Sequence, residues 1–325
     1  MAATANNKLI PMELKGHTDR IRCARFFPSN SDRVVTNGDD HTVRFWDSRS
    51  DEKLLADKTI AHTLDAACVS LDGASVFGVG VIDGEDAIEK WDIGTSQRQF
   101  ESKCGTEING MKMSRDGTKL ISFDWNGVDI LDAKTGEVVS SYAELDGIFN
   151  ATFSPDGEQY AIGDNSGYVA VCDTATGEIE WGDRVYGELE FVNSVDFHPN
   201  GNLLLSAGLC EKTLVFSRVA DGLDVFRRTT DNTDQLRMAE FSPDGRQFIT
   251  ASCDGTARVY DAETVSCIVS THHTDIVWDA DFSNDQRTIV TACEDGRARI
   301  WDLRVQHGST KKPAMTFDAS KAAKK

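Results

Sequence analysis

Short apolar runs alternate with tight polar turns along most of this chain. Ile148-Phe-Asn-Ala-Thr-Phe153 alternates in character and ends at Ser154-Pro-Asp-Gly157, where proline presets φ and Asp-Gly accepts a tight hairpin. The same turn recurs as Ser242-Pro-Asp-Gly245 and, in degenerate form, as Ser70-Leu-Asp-Gly73, Ser114-Arg-Asp-Gly117 and His198-Pro-Asn-Gly201. A second run such as Gln247–Ala251 leads to a turn at Asp254-Gly255, and a third run, Ala257–Tyr260, follows. Thr135-Gly-Glu137 and Thr176-Gly-Glu178 then open a fourth, more polar run. Short runs joined by hairpin-type turns predict strands.

The unit repeats. Trp46-Asp47, Trp91-Asp92 and Trp301-Asp302 each close an apolar run, with weaker copies at Leu131-Asp132, Cys172-Asp173, Phe216-Ser217 and Tyr260-Asp261. The second residues of these pairs lie 45, 40, 41, 44, 44 and 41 residues apart, giving seven units. Units of this period, each with four short strands, predict an all-β chain closed on itself. The 325-residue length alone suggests two domains, yet closed all-β architectures often reach this size as one.

These residues resemble those of the WD-repeat family, over about Leu9 to Asp302. The resemblance implies a seven-bladed β-propeller of four-stranded antiparallel blades, its ring closed by a terminal strand. It also implies a hydrogen-bonded Asp-His-Ser/Thr-Trp tetrad: Asp40, His17, Thr36 and Trp46 in blade one, and Asp295, His273, Thr291 and Trp301 in blade seven. Blade six keeps Asp254 and Thr250 but has Asn232 and Tyr260 in the other places; blades three to five lack both histidine and tryptophan and should rely more on apolar packing. Lys8–Leu14 stands where other units place a fourth strand and is expected to complete blade seven, with Pro313–Asp318 as its competitor. The organisation expected is a flexible N-terminus at 1–7 and one propeller at 8–303. Its blades lie near 16–60, 61–103, 104–144, 145–186, 187–230, 231–271 and 272–303 plus strand 8–14, and a C-terminal segment with a basic tail fills 304–325.

Composition narrows the function. With 34 basic and 53 acidic residues the net charge is −19, a field that repels phosphate backbones and anionic membranes; neither nucleic acid nor membrane is an expected partner. No apolar run approaches the roughly 20 residues of a membrane helix, and Met1–Lys8 has no apolar core of a secretory signal. The eight cysteines (Cys23, Cys68, Cys104, Cys172, Cys210, Cys253, Cys267, Cys293) form no Cys-x-x-Cys pair and read as reduced, buried thiols of a cytoplasmic chain, with a nucleus or cilium as alternatives. Phosphate-loop, nucleophile-elbow and His-Glu-x-x-His sequences are absent. Gly78-Val-Gly80 lies in a strand pattern, and His272-His273 lacks a third ligand at metal spacing. No catalytic residue, cofactor or metal is expected.

The resemblance also places partner peptides on the face where fourth-to-first-strand loops enter the central channel. Aligned on their first strands, the blades bring to that rim Arg20 and Arg22 (blade one), Glu107 and Asn109 (three), Phe149 (four), Phe191 and Asn193 (five), Gln235 and Arg237 (six), and Ile276 and Trp278 (seven), with Asp65 as blade two's member. Blades six, seven and one adjoin, so three arginines should surround Trp278; Arg and Trp are enriched at interface hot spots. An acidic or aromatic segment is the expected ligand. On the opposite face, Trp46-Asp-Ser-Arg49 and Trp301-Asp-Leu-Arg304 resemble the Trp-Asp-x-Arg ending of cullin–RING ubiquitin-ligase substrate receptors, in which the arginine meets the adaptor. Two functions follow as expectations: a non-catalytic scaffold subunit of a larger assembly, monomeric within it, or such a receptor. The compact form looks like small scaffolds of RNA-decay, signalling and ciliary complexes.

Overall fold

The computed structural model describes residues 9–49, 54–59, 67–82, 85–103, 108–142, 147–187, 190–210 and 212–306. Glu107, Asp65, Lys8, Cys104, the 1–7 terminus and the segment Pro313–Asp318 with its basic tail lie outside them.

Seven four-stranded antiparallel sheets form the ring. Their innermost strands are Ile21–Phe27, Cys68–Val69, Ile108–Met113, Ile148–Phe153, Val192–Phe197, Leu236–Phe241 and Val277–Phe282. The core is divided among the interfaces between consecutive blades. Trp46, Ile21 and Val34 of blade one meet Val290, Ala292 and Ile300 of blade seven, and corresponding apolar clusters join each other adjacent pair. Each blade thus buries both faces against neighbours, which is why a single blade has no core of its own.

The ring closes through Met12–Lys15, paired antiparallel with Arg297–Asp302 from Met12↔Ile300 to Lys15↔Arg297. This strand is shorter than the Lys8–Leu14 expected. Pro11 has no N–H for the ladder, so pairing starts after it. Leu9 still packs with Trp301 and Leu303, while Glu13 reaches Arg297 and Arg299 at 3.4 and 3.5 Å.

The inner strands do not follow simple two-residue alternation. Their burial runs buried, intermediate, buried, buried, intermediate, buried in Val192–Phe197, Leu236–Phe241 and Val277–Phe282. The cause is a register shift between the first and third residues of six inner strands: Ile21/Cys23, Ile108/Gly110, Ile148/Asn150, Val192/Ser194, Leu236/Met238 and Val277/Asp279. Each shift leaves the second residue out of the ladder, the signature of a β-bulge, which re-aims one side chain.

His41 holds φ at +60° in the turn of blade one, where blades six and seven have Gly255 and Gly296 at +76° and +73°. A left-handed non-glycine residue is strained. His41→Gly should therefore raise the unfolding free energy by about 0.5–1 kcal/mol, measured by urea denaturation; an unchanged or lower midpoint would show that the exposed imidazole offsets the strain.

The cysteines need one correction. Cys23, Cys172 and Cys293 are buried, but Cys210 and Cys267 are exposed, because Cys210 sits in the turn after Leu203–Gly208, the second strand of blade five, and Cys267 opens an outer strand.

Candidate protein-interaction site

The tetrads set the blade framework. In blade one His17 Nδ1 lies 2.9 Å from Asp40 Oδ1 and Nε2 lies 2.7 Å from Thr36 Oγ1, which also accepts from Trp46 Nε1 at 2.8 Å. Blade six closes a looser version: Asn232 Nδ2 donates to Asp254 at 3.4 Å, and Tyr260 and Thr250 hydroxyls donate to Asn232 Oδ1 at 3.4 and 3.5 Å. Blade seven differs from the expected tetrad. Trp301 donates to Thr291 at 3.0 Å, but Arg299 occupies Asp295 at 2.6 Å and places a second nitrogen 3.2 Å from His273 Nδ1. Burial, together with Arg299, pushes the His273 imidazole down to about 3, so it stays neutral and accepts from the guanidinium; its Nε2 is buried with no hydrogen-bond partner among the described residues. Arg44–Asp40 and Arg258–Asp254 repeat this four-residue pairing at 3.7 and 2.9 Å. In blade five Tyr186 instead sets its hydroxyl 3.0 Å from Ser206 Oγ.

This framework holds six bulged residues around the mouth of the central channel. Arg22, Asn109, Phe149, Asn193, Arg237 and Trp278 all line one cavity of about 630 Å³. Two of them, Arg22 and Arg237, converge with Arg20 on the indole of a third, Trp278. Guanidinium carbons of Arg237, Arg22 and Arg20 lie 4.3, 4.6 and 5.7 Å from the Trp278 ring centre. Each such contact is worth about 0.5–1 kcal/mol at an accessible site. Trp278 Nε1 donates to Glu294 at 2.6 Å, which fixes the ring's azimuth. Arg22 Nε donates to Asp39 at 2.9 Å, and Arg20 Nε also bonds that carboxylate. Burial would raise the Asp39 carboxyl, but hydrogen bonds from Arg22 and Arg20 outweigh it and hold the group below its ordinary value.

Arg237 differs from its two neighbours. Its Nε donates to Cys253 Sγ at 3.0 Å, and among the described residues no carboxylate pairs with it. Gln235 lies near Cys210 and Cys253, with nitrogen–sulfur and sulfur–oxygen separations of 3.9 and 4.0 Å. Ile276 is half-buried, its carbonyl accepting from Glu294 N–H at 2.9 Å. Phe149 and Phe191 meet at 5.1 Å on the far side of the mouth, apart from the arginines.

Sequence reasoning missed three sets of residues here. Asp39 and Glu294 are the counter-charges of the arginine sector. Trp125, 45% exposed, stacks edge-on against Phe149 at 5.1 Å. Deeper in the channel, Arg25 Nη2 donates to Asp279 at 2.9 Å, and its Nη1 bonds Glu240 and lies 3.9 Å from Asp281. Charges inside otherwise apolar strands were the available signal. Asp279 and Asp281 also accept from Ala24 and Phe26 N–H at 3.0 and 2.7 Å, and Asp196 accepts from Phe241 N–H at 2.8 Å. These bonds join inner strands of neighbouring blades.

On the opposite face Arg49 and Arg304 are mostly exposed, at 65% and 62% of their side chains. Arg49 pairs with Asp32 at 3.3 Å, and Arg304 with both oxygens of Asp302 at 2.9 and 3.1 Å.

With seven blades and the blade-one tetrad in place, the family model "WD domain, G-beta repeat" matches residues 10–47, 184–216, 227–261 and 265–302. The chain is a WD-repeat protein. The matched segments fall in blades one, five, six and seven. The chain is 27% identical to autophagy-related protein 16 of Arabidopsis thaliana, over 55% of its own length and 38% of the relative's. It is 28% identical to serine-threonine kinase receptor-associated protein of Dictyostelium discoideum, over 59% and 64% of the two lengths. Against a guanine nucleotide-binding protein subunit beta of Oryza sativa subsp. indica it is 25% identical, over 51% and 47%. The alignments therefore span less than two thirds of each relative.

Proposed function

We propose that this chain is a non-catalytic subunit of a multiprotein assembly and holds a partner segment at the channel mouth through Trp278, Arg237, Arg22 and Arg20. The observation that carries this reading is the convergence of three guanidinium groups on one indole, on a chain with net charge −19. Such a cluster costs solvation and side-chain freedom, and it presents the residue types that dominate interface energies. Two relatives fit by name, one a subunit and the other receptor-associated. Seven free thiols among the described residues suit a reducing, cytoplasmic setting. The receptor reading gains less support, since Arg49 and Arg304 are each already engaged by their own carboxylates.

Size-exclusion of native extract under mild salt tests this. A subunit elutes well above the 35.7 kDa of the chain and shifts down in high salt. Elution at the monomer position in gentle conditions would refute assembly membership.

A further inference from the structure

The apolar side of the mouth has no part in the arginine sector, yet it is built with equal care. Trp125 sits in the turn after Asp124, whose Oδ1 accepts from Asn126 and Gly127 N–H at 2.6 and 2.9 Å. The Trp125 carbonyl accepts from Gly147 N–H at 2.7 Å, tying that turn to the entry of blade four. Trp125, Phe149 and Phe191 then form one aromatic step with 5.1 Å between successive ring centres. Blades three, four and five contribute one ring each, and in ring order they lie across the channel from blades six, seven and one.

Two polar bulge residues flank the way between the sectors. Asn109 and Asn193 donate through Nδ2 to the Ile148 and Leu236 carbonyls at 2.9 and 3.0 Å. Their Oδ1 atoms have no protein partner among the described residues and remain available as acceptors. The mouth therefore offers, at Arg237, a guanidinium with no carboxylate partner among the described residues, together with two amide acceptors and an exposed aromatic surface around one cavity.

We propose that the mouth reads a single linear segment of a partner protein in two parts: a carboxylate on Arg237, and a bulky aliphatic or aromatic side chain on the Trp125–Phe149–Phe191 step. Backbone N–H groups between them are accepted by Asn109 and Asn193. Charge fixes the choice of occupant. Of the three arginines on Trp278, Arg237 alone has no carboxylate partner among the described residues, so one carboxylate is matched, whereas a polyacidic run would meet the −19 field of the chain. The aromatic step supplies desolvation energy that a single exposed ion pair does not. This inference rests on the assignment of the mouth as the docking face.

The test is selection of a random linear-peptide display library against the full chain. Enriched peptides should pair one Asp or Glu with a bulky apolar residue at fixed spacing. Their affinity should fall about tenfold or more with Arg237→Gln and separately with Trp125→Ala or Phe149→Ser. Thermal unfolding of Trp125→Ala should match the wild type, because the indole is 45% exposed. Peptides that need Arg237 and Trp278 but ignore Trp125 and Phe149 would overturn the two-part reading and leave the docking face standing. Peptides indifferent to all four residues, or no enrichment at all, would overturn both.

Discussion

Replacing Trp46 with alanine should lower the unfolding free energy by about 3–5 kcal/mol. The indole is 1% exposed and fills the interface at which blade one meets blade seven, where the two ends of the ring join. Truncation opens a cavity beside Leu14, Val34 and Ile300 and removes the donor to Thr36 Oγ1. His17 would keep Thr36 and Asp40, so the polar network is shortened rather than abolished. Trp46→Phe keeps much of the volume and loses the hydrogen bond, for a cost of roughly 1–2 kcal/mol. Denaturant midpoints with matched slopes measure both. Near-equal costs for the two variants would mean that the hydrogen bond outweighs the volume.

Arg25→Ala should cost about 2–4 kcal/mol near neutral pH, toward the lower end for a broken buried ion pair because the channel admits water. The substitution leaves Asp279, Glu240 and Asp281 without their shared cation. Already in the native protein, burial and the neighbouring Glu240 charge raise the Asp281 carboxyl to about 7, and the Asp196 carboxyl likewise. The Asp281 side chain retains 18% exposure, so channel water softens this effect. Between the unfolded pKa of about 4 and the folded value, the native state holds protons that the unfolded chain releases. Stability from these groups is therefore present below pH about 4 and declines as pH rises through the folded values. Removing Arg25 pushes the carboxyls further up, so the deficit of the variant should shrink on moving from about pH 8 to about pH 6. Urea titrations at the two pH values measure it. A deficit that stays constant would show that Arg25 acts through packing and not charge.

Much of the fold was legible because its signals are local. The Trp-Asp endings and Ser-x-Asp-Gly turns each act within a few residues, and their spacing counts blades directly. Blade one's tetrad was legible for the same reason. Blade seven's was not, since the outcome depends on whether Arg299 or His273 reaches Asp295 first; the Asp-x-x-x-Arg spacing, repeated at Asp40/Arg44 and Asp254/Arg258, was the overlooked sign. At the mouth, alignment of the inner strands brought Arg22, Arg237 and Trp278 to one rim. The bulge that turns them there is a property of paired strands, and a single strand's sequence does not display it. Trp125 escaped because it belongs to the turn of a different blade from the phenylalanine it touches. The channel ions escaped because alternation of apolar and charged residues looks the same whether the charge faces solvent or the ring axis.

The most direct measurement is quantitative affinity capture from native extract with the tagged wild-type chain beside a Trp278→Ala/Arg22→Ala/Arg237→Ala variant of verified fold. The expected result is one reproducible set of proteins with the wild type, lost or reduced at least tenfold with the variant. Capture of the same set at the same level by both would contradict the channel mouth as the site of assembly and direct attention to the opposite face, where Arg49 and Arg304 lie.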